Sequence, residues 1–137
     1  MSVAASERVP EPRSIVVTYY ALAGVYTLAA SVIWGVNTLF LLDAGLSFFE
    51  VFVANAAYSV GTVLFEIPTG VVADTLGRRA SFLASAAVLA LVTFLYLALA
   101  HLEAGVVPFA LVSILMGLGF TFYSGAVEAW LVDEPAA

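Results

Sequence analysis

Four long apolar runs, separated by short polar breaks, dominate the pattern of the chain. The runs cover approximately residues 15–42, 48–74, 79–100 and 106–132. An α-helix rises about 1.5 Å per residue, so about 20 residues cross a hydrocarbon core of about 30 Å. The runs do not alternate apolar and polar positions as the strands of a membrane barrel do. The pattern therefore predicts an all-α membrane protein with four transmembrane helices.

Composition supports a membrane protein and excludes several functions. Hydrophobic residues make up 64% and charged residues only 10% of the 137 residues. A soluble domain has about half apolar and about a quarter charged residues, so this chain has too few charges for a water-facing surface. It contains no cysteine, which excludes disulfides and cysteine-based metal sites. Its net charge of −6 provides no basic face for nucleic acid, and we expect neither enzymatic activity nor a cofactor.

The arginines indicate how the helices cross the membrane. Arg8 and Arg13 precede the first run, and Arg78 and Arg79 lie between the second and third runs. Basic residues favour the cytoplasmic side, so both chain ends are expected inside the cell and the other two breaks outside. We expect residues 1–13 to form a flexible cytoplasmic tail and residues 14–137 to form the transmembrane domain.

The break between the second and third runs has a distinctive sequence, "GVVADTLGRRAS". Gly70 and Asp74 are four residues apart and therefore share one face of a helix. Gly77 suits a turn, and Arg78 and Arg79 suit the cytoplasmic side of a membrane. A generic positively charged loop accounts for the last three residues but not for Gly70 and Asp74.

This stretch resembles the signature of the major facilitator superfamily between its second and third helices, Gly-x-Leu-Ala-Asp-(Arg/Lys)-x-Gly-Arg-(Arg/Lys). The matching residues are Gly70, Ala73, Asp74, Gly77, Arg78 and Arg79, while Val72 and Thr75 depart from the signature. "FEIPTG" before the loop and "FYSGAVEAWLVDE" in the fourth run look like a drug-efflux branch of the superfamily. The resemblance implies part of the amino-terminal six-helix half of a twelve-helix antiporter.

Two features depart from the family pattern. Many proton-coupled exporters of the superfamily carry an arginine and a glutamine ahead of a glycine pair in the fourth helix. Gly117 and Gly119 match that pair, but Ser113 and Met116 stand at the other two positions. The sequence therefore does not support proton coupling through that arginine. The family also has twelve helices, so we expect this chain to be a truncated portion that does not transport alone.

Two carboxylates lie inside the apolar runs, Glu66 in the second and Glu128 in the fourth. The resemblance implies that both helices border one central cavity, which makes the pair candidates for binding a proton or a cationic substrate. The alternative is a structural network in which either glutamate pairs with Arg78 or Arg79. Weaker candidates for the cavity wall are Asn37, Asn55, Tyr58 and Tyr123.

A charged cluster is expected at the cytoplasmic face. Arg78 follows Asp74 by four residues, and Asp133 ends the fourth run on the same predicted side. The resemblance implies that Arg78 is held between the two carboxylates and that the cluster helps to lock one conformation. Three independent interfacial charges are the alternative.

The sequence thus favours a multi-pass secondary transporter of the cell membrane that exports small organic molecules. Its expected partners are the lipid bilayer, a small-molecule substrate and the remaining transmembrane helices of a full-length transporter. Two alternatives stay open: a complete four-helix exporter that acts as a homodimer, and a membrane subunit that does not transport. The small homodimeric exporters carry a glutamate in the first helix, whereas the first run here has no charge between Ser14 and Leu42.

The topology can be tested with single cysteines, because the chain has none of its own. Ser47→Cys is expected to react with a membrane-impermeant thiol reagent added outside intact cells, since the arginines place the first break on that side. Reaction of Ser47→Cys only from the cytoplasmic side would contradict the topology.

Overall fold

The computed structural model describes residues 12–133, and residues 1–11 and 134–137 lie outside the described part. Its helices are α1 (Pro12–Asp43), α2 (Phe48–Leu76), α3 (Arg78–His101) and α4 (Val106–Asp133). No β-strand occurs within residues 12–133. Each helix contains a segment long and apolar enough to cross a membrane. The prediction of an all-helical chain with four membrane-length helices is therefore confirmed.

The ends of two helices follow directly from the local sequence. α1 begins at Pro12, so two residues of the predicted tail are helical. Proline is favoured in a first turn because its missing N–H would have no helical partner there. α2 begins after Ser47, whose hydroxyl accepts the N–H of Glu50 while the Glu50 carboxylate accepts the N–H of Ser47. This reciprocal capping box fixes the start of α2.

α2 contains a proline, Pro68, yet the helix continues to Leu76. A proline inside a helix removes one backbone hydrogen bond and crowds the preceding turn. The hydroxyl of the next residue, Thr69, donates to the Phe65 carbonyl at 2.7 Å and lies 3.2 Å from the Glu66 carbonyl. Thr69 is buried, so these contacts satisfy a hydroxyl that would otherwise lack a partner beside the proline.

The chain divides into two compact units, Met1–Asn37 and Thr38–Ala137. The first unit contains α1 as far as Asn37. Within this part of the helix, the Ser31 hydroxyl donates to the Thr27 carbonyl at 2.8 Å. In the second unit the end of α1 shares an apolar core with the other three helices. The buried members of that core are Leu41, Leu46, Val51, Ala54, Val92, Tyr96 and Phe109.

Within the second unit α4 packs against both α2 and α3, and glycines set its contact with α2. A methyl group added at Gly117 would lie 2.7 Å from the Thr62 nitrogen and 2.8 Å from the Tyr58 oxygen. A methyl group added at Gly61 would overlap the backbone of Ile114. The backbones of α2 and α4 are therefore in direct contact, and only glycine fits at these two positions. Small residues allow the same close approach in other pairs of membrane helices.

Hydrogen bonds join α3 to α4. The Ser85 hydroxyl donates to the Gly119 carbonyl at 2.8 Å. The Tyr96 hydroxyl lies 2.7 Å from the Ser113 hydroxyl, and all three hydroxyl-bearing residues are buried. Ser81, one turn before Ser85, is also fully buried, but its hydroxyl has no hydrogen-bond partner in the described part of the chain. Two buried serines one turn apart on α3 therefore differ: the Ser85 hydroxyl is hydrogen-bonded and the Ser81 hydroxyl is not.

These two serines make a matched test of the α3–α4 contact. Ser85→Ala is expected to destabilise the protein by about 1 kcal/mol, because it removes an interhelical hydrogen bond. Ser81→Ala is expected to leave the free energy of unfolding unchanged or to raise it, because it removes only an unpaired buried hydroxyl. Unfolding of both variants in one detergent measures the difference, and equal losses of stability would contradict the contact.

Candidate functional site

The loop between α2 and α3 consists of a single residue, Gly77. Its backbone angles are φ 89° and ψ 161°. That region of backbone space is essentially accessible to glycine alone, because a Cβ atom would clash there. The second glycine of the predicted signature is therefore required by the turn itself.

Gly70, the first glycine of the signature, faces open space in this chain. A methyl group added there would meet no described atom within 4 Å. The close helix approach expected at Gly70 is therefore not made by any described residue, and that role stays a prediction.

The charged residues around Gly77 lie at the surface of the described helices. Asp74 and Arg79 are exposed, and Arg78 is half-buried. Arg78 takes part in a bonding or electrostatic interaction, whereas the side chain of Asp133 lies outside the described part. The expected cluster of Asp74, Arg78 and Asp133 therefore stays a prediction.

Glu66 is exposed close to the middle of α2. It lies four residues beyond Thr62, the central residue of the helix, which corresponds to about 6 Å along the axis. In a membrane this position falls within the hydrocarbon core, where a charged side chain costs about 2.5–3.5 kcal/mol on insertion scales. Because of this cost, Glu66 in a membrane would favour a further helix or a water-filled path over lipid on this face of α2.

Tyr58 and Tyr123 contribute to different helix contacts. The ring of Tyr58 in α2 meets that of Phe120 in α4 edge-on, with 6.2 Å between the ring centres. The ring of Tyr123 in α4 lies 6.3 Å from that of Phe82 in α3. Both tyrosines are half-buried in these contacts, and their role in a cavity wall stays a prediction.

The structure does not test the positions of two other candidates, Glu128 and Asn37, relative to Glu66. The side chain of Glu128 lies outside the described part, so the shared cavity of Glu66 and Glu128 stays a prediction. Asn37 belongs to the first unit and is half-buried. Its amide nitrogen has no hydrogen-bond partner in the part of the chain that the structure describes.

A stripe of residues along α2, absent from the sequence-based predictions, groups Glu66 with Asn55 and borders the contact with α4 at Thr62. The members of this α2 stripe are Phe48, Phe52, Asn55, Ser59, Thr62 and Glu66. The two phenylalanines are each 71% exposed, Ser59 and Glu66 are exposed, and the other two are half-buried. Spacings that alternate between four and three residues form the seam of two packed helices. That periodicity is the signal by which the stripe could be found in the sequence.

A cavity of about 440 Å³ lies between the two short loops of the second unit. It is lined by residues of both loops and by the first turn of α2, so the two loops lie at the same end of the unit. Asp43, Glu50 and Glu103 line it, but Glu50 is already bonded to Ser47 in the capping box. Among the described residues no group of His, Cys, Asp and Glu is arranged to hold a metal ion.

Ser113 stands where the resemblance has an arginine, and the structure shows what fills the position. Its hydroxyl donates to the Phe109 carbonyl at 2.8 Å and lies 2.7 Å from the Tyr96 hydroxyl. Ser113 is only 1% exposed. The position therefore holds a neutral hydrogen-bonded pair that ties α3 to α4, in place of a charge.

Comparison with known proteins finds no matching family model, no matching curated protein and no matching solved structure. The likeness to the major facilitator superfamily thus remains a resemblance carried by the residues quoted above. The geometry of α2 and of the Gly77 turn is the basis for inferring a function.

The role of Gly77 can be tested against Gly70 on the same helix pair. Gly77→Ala is expected to destabilise the protein by about 1–3 kcal/mol, because alanine must adopt a strained backbone conformation. Gly70→Ala is expected to be neutral or to stabilise by up to about 1 kcal/mol, because its methyl group meets no described atom and alanine favours a helix. Thermal unfolding in detergent measures both. A Gly77→Ala variant as stable as Gly70→Ala would contradict the turn geometry.

Proposed function

We propose that the chain is a secondary transporter, or a portion of one, that exports small organic molecules across the cell membrane. The observation that carries the proposal is Glu66, an exposed carboxylate about 6 Å from the middle of a membrane-length helix. Ionisable residues at such depth are rare in transmembrane helices and mark the paths of substrates, ions or protons. The resemblance of "GVVADTLGRR" to a transporter signature supports the same class of protein.

One unit of this size forms one wall of a transport path. Secondary transporters alternate by rocking two units about a site near the midplane of the bilayer. On this chain the wall is the α2 stripe, whose polar members are Asn55, Ser59, Thr62 and Glu66. The facing wall comes from further transmembrane helices. With the amino terminus in the cytoplasm, Glu66 lies in the inner half of the membrane.

A carboxylate at this depth can exchange one cation for another. An ionised carboxylate attracts an organic cation strongly when water is excluded, because the effective dielectric constant is low. Binding a proton at the same oxygen neutralises Glu66 and releases the organic cation. Mutually exclusive binding of a proton and a cation at one group couples their movements in opposite directions, which is antiport.

The Gly77 turn serves the conformational change in this proposal. Asp74, Arg78 and Asp133 form an ion-pair cluster in one conformation and separate in the other. Exposed ion pairs contribute only about 0–1 kcal/mol each, so the cluster biases an equilibrium more than it stabilises the fold.

Binding of a fluorescent lipophilic organic cation to the purified chain in lipid vesicles tests the proposal. Glu66→Gln is expected to weaken that binding about tenfold, because it removes the negative charge and keeps the shape of the side chain. Fluorescence anisotropy measures the dissociation constant.

The matched control is Glu103→Gln, which removes one carboxylate from the exposed loop between α3 and α4. It is expected to leave the dissociation constant unchanged, and it reports any effect of net charge alone. Equal binding by the wild type and by Glu66→Gln would refute the role of Glu66.

A further inference from the structure

We propose that residues 69–76 of α2 form an arm that pivots at Pro68 and closes toward α4 beside Gly125. The movement of this α2 arm changes the width of the α2–α4 contact at the Gly77 end of the second unit. It is a property of the packed helices themselves and holds whether or not the chain binds a cation or transports.

The backbone of α2 is weakened at Pro68. Proline has no N–H to donate to the carbonyl of Leu64, four residues earlier, and its ring crowds that turn of the helix. The next residue, Thr69, donates its hydroxyl to the Phe65 carbonyl at 2.7 Å. Prolines bend helices, and so do hydroxyls that donate to the carbonyl four residues earlier. Two adjacent residues therefore favour a bend at the same position of α2.

On the amino-terminal side of Pro68, α2 is held tightly against α4. A methyl group added at Gly61 would lie 2.8 Å from the Ile114 Cα atom. A methyl group added at Gly117 would lie 2.9 Å from the carbonyl carbon of Gly61. These separations are too short for a methyl group, because carbon atoms in contact lie about 3.5–4.0 Å apart. The two backbones already touch there, so this part of α2 moves together with α4.

On the carboxyl-terminal side of Pro68, the same two helices leave more room. A methyl group added at Gly125 of α4 would lie 4.0 Å from the Ala73 Cβ atom and would meet no other described atom within 4 Å. Space for a methyl group therefore separates Ala73 from the α4 backbone. A bend at Pro68 tilts the α2 arm, and this space is where the arm can close.

The contact face and the far end of the α2 arm both permit such a movement. Thr69 and Ala73 of the arm are buried, and so is Ala126 of α4. Alanine has no side-chain rotamers to rearrange, so helices that meet through small residues can change their separation without repacking. Gly77 alone joins the arm to α3, and glycine tolerates a wider range of backbone angles than other residues. The α2 arm therefore has a pivot at each end.

The distance between two spin labels on α2 tests the pivot, since the chain has no cysteine of its own. Val60→Cys and Thr75→Cys place the labels on either side of Pro68, at two exposed positions. Along a straight helix they lie about 22 Å apart. Pulsed electron–electron double resonance in lipid vesicles is expected to give a broad distribution of distances for the wild-type proline. Pro68→Ala is expected to narrow that distribution about twofold, because alanine restores the missing backbone hydrogen bond.

Two matched controls accompany the measurement. Pro108→Ala is expected to leave the distribution unchanged, because Pro108 lies in the first turn of α4, where an N–H has no partner within the helix. Gly125→Ala is expected to narrow the distribution, because its methyl group fills the space beside Ala73. Gly70→Ala is expected to leave it broad, because its methyl group meets no described atom within 4 Å, and it reports the effect of alanine on helix stability alone.

Each outcome decides the proposal. A single narrow distribution for the wild-type proline, or equal widths for the wild type and Pro68→Ala, would overturn the pivot. If Pro68→Ala does not insert, Gly125→Ala and Gly70→Ala give the answer, and equal widths for these two variants reject the closure. The measurement uses no bound cation, so the α2 arm and the transport proposal can fail separately.

Discussion

The interior of a bilayer offers no hydrogen-bond partner, and this constraint governs every polar group on the membrane helices. The hydroxyls of Ser31, Ser59 and Thr62 donate to backbone carbonyls one turn earlier in their own helices. Ser85 instead donates to the Gly119 carbonyl across the α3–α4 contact. The Ser81 hydroxyl and the Asn37 amide nitrogen are buried without a partner in the described part of the chain, whereas Glu66 is exposed near the middle of α2. The same constraint that shapes the rest of the fold therefore identifies the face of α2 that must meet something other than lipid.

The second unit combines a tightly packed side with an open one. Gly61 and Gly117 allow the backbones of α2 and α4 to touch, and the hydroxyl pair of Tyr96 and Ser113 links α4 to α3. Direct backbone contact and buried hydrogen bonds make such a group of helices resist deformation, because a close-packed interior transmits strain. The open α2 stripe lies on this rigid support. In the proposed transporter, such a unit would rock against a further group of helices about a shared site.

The sequence predicted the four helices, but it did not predict which face of each helix contacts its neighbours. Apolar length alone gave four helices, and Gly77 was expected at the turn that it makes. The exposure of Glu66 could not be foreseen, because it depends on which face of α2 meets α4. That choice is set by the fit of Gly61 against α4, between residues far apart in sequence. Ser113 was noted as a departure from the family pattern, but its bond to Tyr96 needs the three-dimensional contact.

The central claim is that protein or water, and not lipid, faces the α2 stripe. Nitroxide labels placed singly along α2 measure it directly, through their collision rates with molecular oxygen, which concentrates in the hydrocarbon core. Labels at Ser59 and Glu66 are expected to collide with oxygen much less often than labels at Leu64 and Ile67, which are 60% and 79% exposed on other faces of the helix. Equal oxygen collision rates at all four positions would mean that the stripe lies in lipid, and would contradict the account.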